Sequence, residues 1–539
     1  MIEFTSRRSP VYGLGGMVAT SQPLAVAAGL KTLQAGGSAA DAAVATAAAL
    51  NVTEPTSTGL GGDAFVLYYE AASRTVYALN GSGRSPQGLS LERLRREGLG
   101  QHLPPYHPYT VTVPGAAAAW CDLTARFGRL PLSAVLAPAE RLAEEGFPVA
   151  PITAYYWQRA AQRQLKEAVN GRELTVDGRA PRAGELFRNP GLARTLRLLG
   201  EGGKPAYYQG PVADAIVAVL REAGGQMAHT DLAAHTSTWA EPISIVYRGL
   251  RVYECPPNGQ GLAALLALKL LEGFDLDHLA PLSAERLHLE IEAMRLAFSD
   301  TRRYVADPAH APVPLSSLLD EAYLAERRRL IQPGQAIPQV AHGTPPGSSD
   351  TVYLSVIDAQ GNACSFINSN YMGFGTGIVP RGWGFSLQNR GHNFSLDPQH
   401  PNALAPGKRP YHTIIPAMAT HAESGELYAS FGVMGGFMQP QGHMQVFSAL
   451  VDDRLDPQAA LDRPRFCIEP DEAAGHVSLE EGIPLPVMAR LAEMGHAVTP
   501  VSGIGRSLFG RGQIILRDPH SRVLAAGSDP RADGCAMTL

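Results

Sequence analysis

Thr351 stands between a run of small, flexible residues, Gly347-Ser348-Ser349-Asp350, and a strand-like run, Val352-Tyr353-Leu354-Ser355-Val356-Ile357-Asp358. Breaking the peptide bond before it would give Thr351 a free α-amine, so that one residue carries both a nucleophilic hydroxyl and its own base. Strand propensity alone also places threonine at such a position, so the reading depends on its surroundings. The turn Asp358-Ala359-Gln360-Gly361-Asn362 joins two strand-like runs, and a hairpin centred on Gln360 sets Ser369 opposite Thr351. A second hydroxyl there can orient the first. Downstream, Ser430-Phe431-Gly432-Val433-Met434-Gly435-Gly436-Phe437 leaves a strand and enters a helix near Pro440. The backbone N–H groups of Gly435 and Gly436 can converge there on a developing oxyanion. A plain strand-to-helix turn has the same composition.

The elements that must position these groups follow from periodicity and caps. Helices are expected over 23–33 and, opened by the capping-box pattern Ser38-Ala39-Ala40-Asp41, over 39–50. Further helices fit 115–127, 211–224, 260–273, 284–304, 440–452 and 486–494. Strands fit 64–69, 75–80, 352–358, 363–369, 383–389, 413–420 and 426–432. The Gly- and Pro-rich stretch 332–349 reads as a linker. Helices flanking sheets on both sides of one core give a layered α/β arrangement.

Composition excludes several classes. With 45 Lys and Arg against 50 Asp and Glu the net charge is −5, and without a long basic run no nucleic-acid partner is expected. No apolar run is long enough to span a bilayer, so no membrane association is expected. The N-terminus lacks the apolar core of a secretory signal, and the chain as written reads as cytosolic (cytoplasmic). The five cysteines are scattered, and His288, Glu290 and Glu292 do not match a zinc-binding HExxH helix. Neither a metal nor another cofactor is expected. Gly59-Leu60-Gly61-Gly62 and Gly407-Lys408 lack the spacing of nucleotide-binding loops.

These features in this order resemble the γ-glutamyltransferase family of N-terminal nucleophile hydrolases. The resemblance covers nearly the whole chain, from Gly16-Met17-Val18-Ala19-Thr20-Ser21-Gln22-Pro23 through Val113-Pro114-Gly115 to Ser528-Asp529-Pro530-Arg531. Its most specific signals are Asp350-Thr351, Gly373-Phe374-Gly375-Thr376-Gly377-Ile378-Val379, Gly407-Lys408-Arg409-Pro410 and Met434-Gly435-Gly436. The resemblance implies a four-layer αββα sandwich made as a precursor. Thr351 would cut the chain after Asp350, leaving a large subunit 1–350 and a small catalytic subunit 351–539 that share one core. It further implies an acyl-enzyme on Thr351, an oxyanion held by Gly435 and Gly436, and water or an amine as acceptor.

Substrate recognition departs from the family. Its transpeptidases hold the γ-glutamyl amino group with an aspartate just before a Phe-Ser pair, where this chain has Asn393 before Phe394-Ser395. The slot of the family's carboxylate-clamping arginine is Ser82, with Arg84 close enough to substitute. Arg390 replaces a glutamine, and His412-Thr413 replaces two serines. The segment 393–410 is short where the family has a lid, which implies a more open site that favours hydrolysis over transfer. Such departures are similar to the family's cephalosporin-acylase-like and oxamate-amidohydrolase-like members. The first expectation is hydrolysis of γ-glutamyl amides such as glutathione, with weak transpeptidation. The alternatives are hydrolysis of another small carboxylated amide (a glutaryl amide or oxamate) and an uncleaved, non-catalytic scaffold.

Overall fold

A computed structural model describes residues 8–338, 340, 350–469 and 475–539. The run 341–349 that leads to the expected cleavage position lies outside the described residues.

Two seven-stranded antiparallel sheets face each other. In the first, the order is Cys535–Thr538, Gly16–Thr20, Asp350–Asp358, Ala363–Tyr371, Asp63–Glu70, Thr75–Asn80 and Thr238–Ala240. In the second it is Val11–Gly13, Leu524–Ser528, Arg511–Arg517, Leu427–Met434, Ala417–His421, Leu250–Glu254 and Ile243–Tyr247. Period-two alternation sorts the side chains of each strand into two layers. Tyr353 and Ile357 pack between the sheets with Phe65, Ile367, Met418 and Ile515. Val352, Leu354 and Val356 face the other way, against the helices Pro23–Gln34 and Ala39–Thr53. Helices Gly261–Leu271, Ala284–Tyr304 and Met438–Val451 cover the second sheet's outer face. The result is the four-layer αββα sandwich.

The expected capping box is present: Ser38 Oγ accepts from the N–H of Asp41, and the Asp41 carboxylate accepts from the N–H of Ser38. Every residue of the helix it opens is buried, as its alanine content allows. The expected strand 383–389 is not one. Its alternating apolar residues are buried, but its backbone bonds to loops, from Leu387 N–H to Ile378 O and from Gln388 N–H to Gly61 O, without joining a ladder. The expected strand 413–420 shortens to Ala417–His421, because the chain before it is committed to side-chain partners described below. Among the described residues no helix is long and apolar enough to cross a membrane, and no cluster of His, Cys, Asp and Glu could hold a metal ion. The five cysteines are free.

Candidate active site

Alternation along Asp350–Asp358 places Thr351 on the face that looks into the gap between the sheets, on the same side as Tyr353 and Ser355. The latter hydroxyl donates across the gap to Ser430 Oγ at 2.6 Å. The pairing of this strand with Ala363–Tyr371 is regular from Val352, opposite Asn368, to Ile357, opposite Ala363, and shifts between Asp350 and Val352. Thr351 sits at that irregularity, and its Oγ1 lies 3.1 Å from Ser369 Oγ. Both residues are wholly buried in the uncut chain.

Ser369 is the hub of the cluster. Its Oγ accepts the N–H of Tyr371 at 2.9 Å and an Arg390 guanidinium N–H at 3.2 Å. The other terminal nitrogen of Arg390 donates to Thr413 Oγ1 at 2.6 Å, and the guanidinium lies 4.3 Å over the Tyr371 ring. Arg390 is 0% exposed, and its Nε has no hydrogen-bond partner. Among the described residues no carboxylate forms an ion pair with it. Burial pulls its pKa down to about 10, partly offset by Tyr371 and Asp63, so it remains cationic at neutral pH.

Asp63, opposite Ser369 on the next strand, organises the far wall. One carboxylate oxygen accepts from the N–H groups of Gly83 and Gly115 and from Gln388. The other lies 2.9 Å from His412 Nε2. Burial opposes ionisation of Asp63, but the hydrogen bond from His412, the Arg390 cation and Gln388 outweigh it and hold the carboxyl below its usual range. Burial, with the repulsion of Arg390, lowers His412 to about 4. A neutral ring therefore donates its Nε2–H to Asp63, while its Nδ1 faces the N–H of Ile414 at 3.4 Å.

The two glycines adopt backbone angles that L side chains rarely take, with φ of 137° at Gly435 and 61° at Gly436. Among the described residues neither of their N–H groups has an acceptor, which leaves both able to serve an incoming oxygen. The Gln260 side chain ties this turn to the cluster by donating to the carbonyls of Gly436, at 2.8 Å, and Thr413, at 2.7 Å. A chain of direct contacts thus runs from Thr351 through Ser369, Arg390, Thr413 and Gln260 to Gly436.

Thr351, Ser369, Arg390, His412, Thr413 and the glycine turn therefore come together, and Asp350 opens the strand beside them. Asn393 reaches the cluster through Tyr371, whose hydroxyl donates to its Oδ1 at 2.6 Å, while its Nδ2 donates to Tyr411 O at 3.1 Å. Among the described residues no side-chain hydrogen bond draws Arg84 in. Its charge is felt instead at Arg409 and His235. The Ser82 slot is crossed by Arg409, whose Nε donates to Ser82 O at 2.9 Å. The short segment after Asn393 is tied to itself: Asn402 donates to Asn393 O and accepts from Tyr411 N–H, and Lys408 Nζ donates to Pro401 and Ala403.

Sequence reasoning passed over Tyr371, Asp63 and Gln260. Tyr371 was findable, because it follows Ser369 by two residues on one strand and so shares its face. It ends that strand with a φ of 80°, an uncommon angle for a bulky residue, held near Thr351. Asp63 and Gln260 act through pairings of distant segments that no local pattern announces.

Residues 25–539 match the profile of the gamma-glutamyltranspeptidase family. The chain is 37% identical over 537 residues to the glutathione hydrolase-like YwrD proenzyme of Bacillus subtilis (strain 168), covering 98% of this chain and 99% of the relative. It is 33% identical over 534 residues to the oxamate amidohydrolase proenzyme of Klebsiella pneumoniae subsp. pneumoniae, covering 97% and 98%. The crystal structure of cephalosporin acylase from Bacillus halodurans aligns with a TM-score of 0.90 at 48% identity, covering 99% of this chain and 97% of that one.

Proposed function

The chain belongs to the gamma-glutamyltranspeptidase family of hydrolases, and from that membership we propose a self-processing threonine amidohydrolase for amides whose small acyl half ends in a carboxylate. In processing, the Thr351 hydroxyl attacks the carbonyl of Asp350. The Asp350 acyl group moves from the Thr351 nitrogen onto that oxygen as an ester, which frees the α-amine, and water then hydrolyses the ester, leaving subunits 1–350 and 351–539. In turnover the α-amine takes the hydroxyl proton as Oγ1 bonds to the substrate carbonyl carbon. The N–H groups of Gly435 and Gly436 hold the resulting oxyanion. The C–N bond breaks, the proton passes to the leaving nitrogen, and water then frees the acyl group by the same route. Ser369 orients Thr351.

The substrate class rests on Arg390, a buried cation one hydroxyl removed from the nucleophile, which among the described residues has an unpartnered Nε and no carboxylate paired to it. A buried charge in that state suits an acyl carboxylate. A γ-glutamyl group brings an α-ammonium as well, and the residue in the ammonium slot, Asn393, has both ends of its amide engaged within the protein. Glutaryl amides and oxamate therefore rank above glutathione, which the resemblance alone placed first. Among the relatives' names, the oxamate amidohydrolase supports that order and the glutathione hydrolase-like protein supports the reverse.

A denaturing gel with N-terminal sequencing tests the first half of the reading: two fragments are expected, the shorter beginning Thr-Val-Tyr-Leu. Rates on glutaryl-4-nitroanilide, oxamate and γ-glutamyl-4-nitroanilide test the second. A chain that stays whole and hydrolyses none of the three is the scaffold instead.

A further inference from the structure

A cleft of about 430 Å³ opens at Gly435 and has no part in the chemistry described above. Tyr106, Tyr155, Tyr156, Arg159, Arg163 and Phe437 are among the residues that line it. Its wall is the helix Pro151–Ala160, which runs into a π-helical turn, Ala161–Leu165. Such turns recur at functional sites. Tyr155, Arg159 and Arg163 succeed one another at intervals of four residues, so one face carries an aromatic ring and two guanidinium groups.

The wall is fixed at both ends. The N–H groups of Ile152 and Thr153 donate to the Asp533 carboxylate at 3.0 and 2.9 Å. At the other end, buried Gln164 donates to the carbonyls of Met372 and Gly375, both at 2.7 Å, which binds the turn to the loop leaving Tyr371. The cleft's third arginine, Arg511, is paired with buried Glu54 and stacks 5.2 Å over Tyr156. Arg159 donates to the neutral hydroxyl of Tyr155. Among the described residues no carboxylate forms an ion pair with Arg159 or Arg163. The acid in the lining, Glu469, is engaged by Ser478.

We propose that this cleft receives the amine half of the substrate and selects an amine with a flat ring and a carboxylate, the ring against the tyrosines and the carboxylate on Arg159 and Arg163. The inference rests on the reading of Thr351 and Gly435 given above. Gly435 marks where the scissile carbonyl oxygen sits, Arg390 takes the acyl side, and the leaving side then points into the cleft that Gly435 lines. Two cations and three tyrosines match such a group in charge and in shape.

The test compares kcat/KM of the full processed protein on N-glutaryl-4-aminobenzoate and N-glutaryl-aniline, alongside calorimetric titration with 4-aminobenzoate and with aniline. The carboxylated amide is expected to be preferred by about tenfold or more, the worth of a charge-assisted hydrogen bond. That preference should fall to near parity in R159Q/R163Q and persist in R159K/R163K. Hydrolysis of both amides at equal kcat/KM overturns the cleft assignment and leaves the acyl reading standing. Arginine-dependent binding of 4-aminobenzoate without hydrolysis of either amide keeps the cleft and sinks the acyl reading. Neither hydrolysis nor binding sinks both.

Discussion

Arg390→Gln removes one charge from a site where Ser369 and Thr413 keep their places. Ser369 Oγ still accepts the Tyr371 N–H, and the backbone of Thr413 is still held by Gln260, so the nucleophile's support survives. What is lost is the cation facing an acyl carboxylate. Hydrogen bonds to charged groups contribute about 1.5–3 kcal/mol, which is a loss of about 10- to 150-fold in kcat/KM. The assay is the ratio of kcat/KM on glutaryl-4-nitroanilide to that on butyryl-4-nitroanilide, which has nearly the same length but no carboxylate. Any general damage to the site divides out of that ratio, and mass spectrometry of the two fragments shows whether processing has survived. The ratio should fall by the factor above. If both substrates lose activity equally, Arg390 does not read the acyl carboxylate, and the substrate class proposed here fails with it.

Adding Asn393→Asp to Arg390→Gln restores the family's residues at both positions and should raise γ-glutamyl-4-nitroanilide hydrolysis relative to glutaryl. Because both side chains touch Tyr371, the effects of the two single variants should not add, which a double-mutant cycle measures. Thr351→Ala should leave a single full-length band and no turnover; persisting amide hydrolysis in that variant would remove the nucleophile from the mechanism. Gly435→Ala places a Cβ at φ 137°, 3.2 Å from Gly510 Cα and 3.3 Å from Met438 Cβ, and displaces an oxyanion donor whose loss typically costs about 10²–10³ in kcat; single-turnover kinetics read it out. His412, lowered by burial to about 4 from 6.5, binds its proton more weakly in the folded chain than in the unfolded one. Its contribution is present above pH 6.5 and is lost as the pH falls toward 4, by about 3 kcal/mol. Denaturant midpoints across that range should drop and should drop less in His412→Gln; parallel curves for the two proteins contradict the assignment.

The parts of the site that sequence reasoning reached are those encoded locally. Ser369 opposite Thr351 followed from counting residues around a turn, because a hairpin's register is set by its own loop. Gly435 and Gly436 could be singled out because consecutive glycines signal an unusual backbone path whatever the surrounding fold. The helix Ala284–Tyr304 was placed to the residue by its periodicity, and the structure adds a Ser283 cap at its start. Residues 383–389 misled because alternation reports burial, and here the buried partner is a loop instead of a neighbouring strand. Arg84 was the natural substitute for a missing clamp by position in the chain, yet it is Arg409 that reaches the Ser82 slot. Asp63, which lies 349 residues from its partner His412, belongs to the class of contact that only the assembled sandwich defines.

The strand Gly16–Thr20 lies between Cys535–Thr538 and Asp350–Asp358 in one sheet, and Val11–Gly13 borders Leu524–Ser528 in the other. The proposed scission beside Thr351 would therefore leave two polypeptides woven through each other, neither of which holds a complete seven-stranded sheet. Dissociation would demand unravelling rather than undocking, so dilution should not separate them. Two such products made from separate messages would each have to find a partner while lacking a complete seven-stranded sheet. Synthesis as a single continuous precursor would avoid that search, with the proposed nick following the weave.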